Sequence, residues 1–325
     1  MTHITLAIQN AILYGTALLY GAVGETITEK SGNLNLGIPG IMSMGAISGF
    51  IGAYFYNSST KNINGFLAIL IPMLCCIIGS LLTSLIYAFL TITLKANQNV
   101  TGLALTTFGV GFANFFYSYL AKSTGAGAAI SLFKFPKYYK TVFPFADNLG
   151  WFGKMFLSHG FLVYLAVVIA IIASFVLNKT RIGLHLRAVG ENPATADAAG
   201  ISVSKYRYFA TCIGGVIAGI GGLQVIMERK DAIFTQNLMG DIGWLAIALV
   251  IFTVWKPAMS IPAAYLFGGL LAIDSILTLD TKYQPLLNMA PYLMTIILLV
   301  IMSIRNKREN QPPASLGVNY YREER

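Results

Sequence analysis

Apolar runs of bilayer length recur along the whole chain: residues 4–24, 34–56, 66–94, 99–121, 160–178, 208–227, 240–255, 258–279 and 286–304. A spanning helix takes about 20 mostly apolar residues. The runs therefore predict an all-α polytopic membrane protein with about eight to ten transmembrane helices. Composition agrees. Charged residues are 11% of the chain and hydrophobic residues 56%, whereas a soluble domain carries about 25% charged residues. One transmembrane domain is expected over 1–304, followed by a polar tail, 305–325, whose prolines and charges predict disorder. No soluble catalytic domain has room to form. Two runs are irregular. Residues 66–94 are long enough to tilt or overrun the bilayer. Residues 240–255 are short and stop at Lys256-Pro257, which predicts a half-helix or one arm of a broken pair.

The net charge of +9 fits Lys and Arg gathering in loops on the cytoplasmic side. It does not form the long basic face with interleaved aromatics that nucleic-acid binding needs. The polar stretch 179–207 has five Lys/Arg, and 122–158 has five Lys. Arg305, Lys307 and Arg308 follow the last run, which predicts a cytoplasmic C-terminus. Four predicted helices separate 207 from 305, so loop 179–207 and the tail share a side. Segment 122–158, with its aromatic FKFPKYYKTVFPF, falls opposite and suits an interfacial position. The beginning of the chain has no positive n-region, so the first run is expected to be a retained helix; its side stays open.

Familiar chemistry is missing. Cys75, Cys76 and Cys212 lie inside apolar runs without metal-ligand spacing, and His3, His159 and His185 are scattered. No catalytic constellation or cofactor motif is found. A phosphate-cradling G-x-x-x-x-G-K-[ST] loop is absent: the one Gly-Lys pair, Gly153-Lys154, precedes Met155. The chain is read as no enzyme. Energy for transport must come from another chain or from an ion gradient.

The most informative local pattern is ENPATADAAG, 191–200. Asn192 suits an N-cap, and Pro193 suits the first helical position. Four alanines favour helix, and Gly200 suits a left-handed stop. A two-turn helix is unstable alone, so it must pack on its own membrane domain or on a partner. Small exposed residues suit a partner's groove. Arg181, Arg187, Lys205 and Arg207 flank it, available to acidic groups or lipid headgroups.

The stretch GETITEKSGNLNLGIPG, 24–40, interrupts two apolar runs. Its glycines and Pro39 argue against one continuous helix. The expectation is a charged turn at the membrane edge over Gly24–Gly32, then a broken helix start over Asn33–Gly40 that faces the interior. Glu25 and Glu29 share a helical face, and Lys30 is placed to form a salt bridge with them. Neutral polar residues inside the runs are candidates for a translocation path: Asn33, Asn35, Ser43, Thr101, Thr106, Thr107, Asn114, Gln224 and Ser275. They also suit bonds between helices. Asp274 is ionisable within an apolar run, which marks function by default. Gly45 and Gly49, and Gly215 and Gly219, have the spacing of close helix packing.

The loop GLHLRAVGENPATADAAGISVSKYR, 183–207, resembles bacterial ABC importer permeases serving ribose-like sugars, branched-chain amino acids and nucleosides. The block GETITEKSGNLNLGIPGIMSMGA, 24–46, is most similar to the nucleoside branch. His185 and Pro39 depart from the pattern. The resemblance implies a permease subunit forming half of a nucleoside path, with no cofactor of its own. It implies a second permease chain, a cytoplasmic ABC ATPase and an external substrate-binding lipoprotein as partners, in the bacterial inner membrane. It makes 191–200 the coupling helix, with Glu191, Asn192, Pro193, Ala196 and Gly200 matching. Path residues expected on this reading are Asn33, Asn35, Thr106, Thr107 and Asn114. The alternatives are a ribose-type sugar permease, or an ion-coupled carrier in which Glu25, Glu29 and Asp274 are the coupling groups.

Overall fold

The structure, a computed structural model, describes residues 2–60, 62–123, 130, 132–143, 146, 149–273, 282, 287, 289–304 and 311–322. Asp274 and Ser275 lie outside the described residues. Thirteen helices are described: α1 (Thr2–Glu29), α2 (Ile38–Ser59), α3 (Gly65–Ala88), α4 (Gln98–Ser123), α5 (Pro136–Tyr139), α6 (Gly150–Phe156), α7 (Phe161–Lys179), α8 (Arg181–Glu191), α9 (Pro193–Ala198), α10 (Val203–Gln224), α11 (Leu238–Phe252), α12 (Pro257–Leu271) and α13 (Ala290–Ile304). Single π-helical turns, Phe89–Thr93 and Val225–Arg229, extend α3 and α10. No strand occurs among the described residues. The fold is that of an all-α, multi-pass membrane protein.

Among the described residues, six helices are long and apolar enough to cross a membrane: α1, α2, α3, α4, α7 and α10. The three shorter apolar helices are α11, α12 and α13. Each of the nine predicted runs thus has its helix. Burial sorts them. The most apolar windows of α2 and α10 are 72% and 78% buried, against 22% for α3, so α2 and α10 form the centre. Their glycines explain it. Gly45 of α2 meets the backbone of Gly219 in α10, and without side chains the two axes approach closely. On α3, Gly79, Ser80, Thr83, Ser84 and Tyr87 face this centre, while Leu74, Ile78, Leu82 and Ile86 point outward.

Contacts set the ends of the helices. Gln9 near the start of α1 donates to the Lys154 carbonyl in α6. The tail, by contrast, bonds to Gly190, Glu191 and Asp197 beside α9. Loop 179–207 and the tail therefore share one end of the bundle, as the helix count predicts. The start of α1 lies at the other end, which answers what the sequence left open.

Within the tail, residues 311–322 follow a defined course over the loop. Loop 179–207 holds a second helix, α8. Thr180 caps it by accepting from the Gly183 N–H at 3.2 Å, and Leu186, Val189 and Gly190 form its buried side.

Candidate functional site

At the loop end, α9 forms as its residues dictate. The Asn192 side chain accepts from the Thr195 N–H at 3.0 Å, and Pro193 begins the helix. Gly200 closes it at φ +80°, with the Ile201 N–H returning to the Ala196 carbonyl at 3.0 Å. Ala196 is buried against Val189 and Val203, so it faces the protein and not a partner. The open face is Ala194, Thr195, Ala198 and Ala199, flanked by Glu191, Asn192 and Gly200. Arg207 also departs from expectation. Its side chain is buried, with Nε donating to Ser31 O and Nη1 to Val318 O, both at 3.2 Å.

The 24–40 stretch is a polar knot. No charged turn forms over Gly24–Gly32: α1 continues to Glu29, and the break follows at 30–37. Glu25 accepts from the Asn35 N–H at 3.0 Å. Glu29 accepts from the indole N–H of Trp255 in the α11–α12 turn. Lys30 makes no ion pair among the described residues. Asn35 Oδ1 accepts from the Gly37 N–H at 3.0 Å. Asn33 Nδ2 donates to Thr211 of α10 at 3.0 Å. The Leu34 N–H donates to Gln98 at 2.7 Å, and Tyr87 donates to the Leu34 carbonyl. Backbone without helix at depth must find such partners in the protein. Asn33 and Asn35 are fully buried and pin this connection; neither lines the groove below. Ser43 returns to its own helix at Pro39 O, 2.7 Å. Gln224 donates to Leu13 O of α1 at 3.3 Å, a bond between helices.

The other three expected path residues come together. Thr106, Thr107 and Asn114 of α4 face Asn237, Gly240, Asp241 and Trp244 at the start of α11, around a groove of about 390 Å³. Small-molecule sites commonly occupy about 300–1,000 Å³. Asn237, at φ +61°, precedes α11, and its side chain accepts from Asn114 at 2.8 Å. Thr106 donates to Leu36 O at 2.7 Å, tying the groove wall to the polar knot. At 15 residues, α11 is about 22 Å long, short of a hydrocarbon core of about 30 Å. The chain reaches it through the non-helical segment 231–237. Trp244 is 39% exposed. The groove thus offers an aromatic face, a carboxylate, two amides and two hydroxyls. Sequence reading missed Asn237, Asp241 and Trp244, although an acid beginning an apolar run was a usable signal for Asp241. A larger cavity of about 680 Å³ between α7, α8 and α10 is lined mostly by apolar side chains, with Lys205 and Tyr206 as its polar members, and holds no comparable polar set.

A family model described as branched-chain amino acid transport system / permease component matches residues 7–303. The chain is 32% identical to a putative glucose ABC transporter permease of Haloferax volcanii, over 95% of both chains. It is 30% identical to a nucleoside ABC transporter permease of Lactococcus lactis, over 97% of this chain and 96% of the relative. It is also 30% identical to a guanosine ABC transporter permease of Bacillus subtilis, over 91% of each. Membership of this kind displaces the ion-coupled carrier as a reading of Glu25 and Glu29. With nine apolar helices among the described residues, a capped loop helix and a match over nearly its whole length, the chain belongs to the branched-chain amino acid transport system permease family, as a membrane transport subunit and not an enzyme.

Proposed function

We propose that the chain forms half of the membrane path of an ABC importer for nucleosides. The observation that carries this is the α4–α11 groove, where Trp244 stands beside Asp241, Asn237 and Asn114. A nucleobase has a face that stacks on an aromatic ring, and carboxylate and amide groups suit ribose hydroxyls and base N–H donors. Two relatives bear nucleoside or guanosine in their names.

On this reading the α8–α9 end and the tail face the cytoplasm, and α9 docks in a groove of an ABC ATPase. A substrate-binding lipoprotein delivers at the opposite end, in a bacterial inner membrane. A second permease chain closes the groove into a path. Thr106, Thr107 and Asn114 then line that path, while Asn33 and Asn35 support its wall.

The test is ATP-driven uptake in liposomes holding both permease chains, the ATPase and the binding protein. Labelled guanosine and uridine should enter, and glucose and leucine should not compete. A sugar reading is favoured by the glucose permease relative; competition by glucose or ribose at equal concentration would replace nucleosides with sugars.

A further inference from the structure

The C-terminal segment lies across the loop end and bonds to the α1–α2, α3–α4 and α8–α9 connections. The Ser315 N–H and hydroxyl donate to Gly190 O at 3.0 and 2.6 Å. The Ala314 N–H donates to the Glu191 carboxylate at 3.3 Å. Gly317, at φ +78°, directs its N–H to Gly32 O in the α1–α2 connection at 3.3 Å. Val318 O accepts from the buried Arg207. Asn319 donates to Lys95 O at 2.6 Å and accepts from Gln98 at 3.1 Å, between α3 and α4. Tyr320 donates to Asp197 of α9 at 2.9 Å, and Arg322 pairs with the same carboxylate at 3.3 Å.

Held only by the loop it sits in, α9 has little anchorage. It has six residues, too few to be stable alone. Ala196 is its only buried residue, and Tyr320 packs on the small cluster around it. The strap adds ties on both flanks of α9. Those ties continue inward: Gln98, which bonds Asn319, also accepts from the Leu34 N–H, and α4 runs on from Gln98 to the groove residues Thr106 and Thr107.

We propose that residues 311–322 are a coupling strap, which holds α9 in place and carries its displacement by the ATPase to the α1–α2 and α3–α4 connections. The role of α9 rests on the reading above; the strap itself is judged by two measurements. One is hydrogen exchange of the α9 amides in the assembled transporter. The other is substrate taken up per ATP hydrolysed. Two variants are compared, a chain ending at residue 310 and the double variant Tyr320→Phe/Arg322→Ala. The second removes only side-chain contacts to Asp197 and decides alone if the shortened chain is not recovered from membranes.

The α9 amides should exchange about tenfold faster in the shortened chain. ATP hydrolysis should persist while uptake per ATP falls severalfold. Unchanged α9 exchange overturns the proposal, as does unchanged uptake per ATP once α9 has loosened. If the unaltered complex takes up no nucleoside, the substrate reading fails, and the strap is still decided by exchange and by uptake of whichever solute is carried.

Discussion

The indole N–H of Trp255 donates to the carboxylate of Glu29, joining the α11–α12 turn to the last turn of α1 across 226 residues. Both side chains are buried. Trp255 and Val254 before it have φ of +52° and +54°. That region is uncommon outside glycine and strained for a β-branched residue such as valine. The turn therefore relies on outside contacts, and this bond is one of them. Trp255→Phe leaves a buried acceptor unpaired, which costs about 1–3 kcal/mol. Glu29→Gln keeps a carbonyl acceptor and should cost less. Thermal unfolding of the detergent-purified protein ranks the two; equal losses would remove the bond from the explanation.

The two sides of α9 separate folding from docking. Ala196→Glu puts a carboxylate against Val189 and Val203, and burying a charge without a partner costs several kcal/mol. That variant should lose yield and stability. Ala198→Glu, on the open face, should leave stability unchanged within about 0.5 kcal/mol and abolish binding of the ATPase. Co-purification with the ATPase checks it, and retained binding by Ala198→Glu would move the docking face elsewhere.

In the groove, Trp244→Ala should lower nucleoside uptake about tenfold or more, since stacking a base on an aromatic ring is worth about 1–3 kcal/mol. Asp241→Asn removes charge but keeps an acceptor, so uptake should fall less and preference among nucleosides should change. Competition assays across purine and pyrimidine nucleosides read both effects. A uniform loss with no change in preference would reduce Asp241 to a structural role.

A methyl group at Gly45 would stand 2.6 Å from Gly219 Cα and 2.8 Å from its carbonyl oxygen. Backbone atoms cannot swing away, so Gly45→Ala must push α2 and α10 apart. Overpacking of this kind costs about 1–3 kcal/mol. Gly269→Ala is the comparison: its Cβ would meet Ala11 Cβ at an ordinary 3.5 Å, and helix propensity favours alanine by about 1 kcal/mol. Thermal stability should fall for the first and hold or rise for the second.

His159 lies just before α7, where burial holds its imidazole below the usual range. The unfolded chain therefore takes up a proton first as pH falls through about 6.5. Its contribution runs one way: neutral pH favours the fold, and acidification below that value weakens it. Unfolding measured between neutral pH and pH ~5 should show a shallower decline in His159→Gln than in the parent chain.

Much of this was legible locally. The nine apolar runs marked the helices because the length that crosses a bilayer is a property of consecutive residues. Asn192, Pro193 and Gly200 marked α9 because caps act within one helical turn. Helix parity placed the loop and tail together. Local rules failed where a residue's partner is far along the chain. The tail's own composition cannot bury a core; the partners of 311–322 are Gly190, Arg207 and Asp197, all more than a hundred residues away. Gly24–Gly32 read as a charged turn because its charges and glycines stand close in sequence; the partners of Glu25 and Glu29 are instead the Asn35 N–H and Trp255.

The sequence by itself determined that the chain lives in a membrane, where its helices lie, and that a short capped helix projects from one loop. Hydropathy, propensity and capping act over one to five turns, and these features need nothing longer. Tertiary structure alone decided that Ala196 turns inward, that Asn33 and Asn35 pin a connection, and that Thr106, Thr107 and Asn114 meet Asp241 and Trp244 around one groove. Which face of a helix meets which neighbour depends on how closely Gly-bearing helices such as α2 and α10 can approach, and that depends on all the helices packed together.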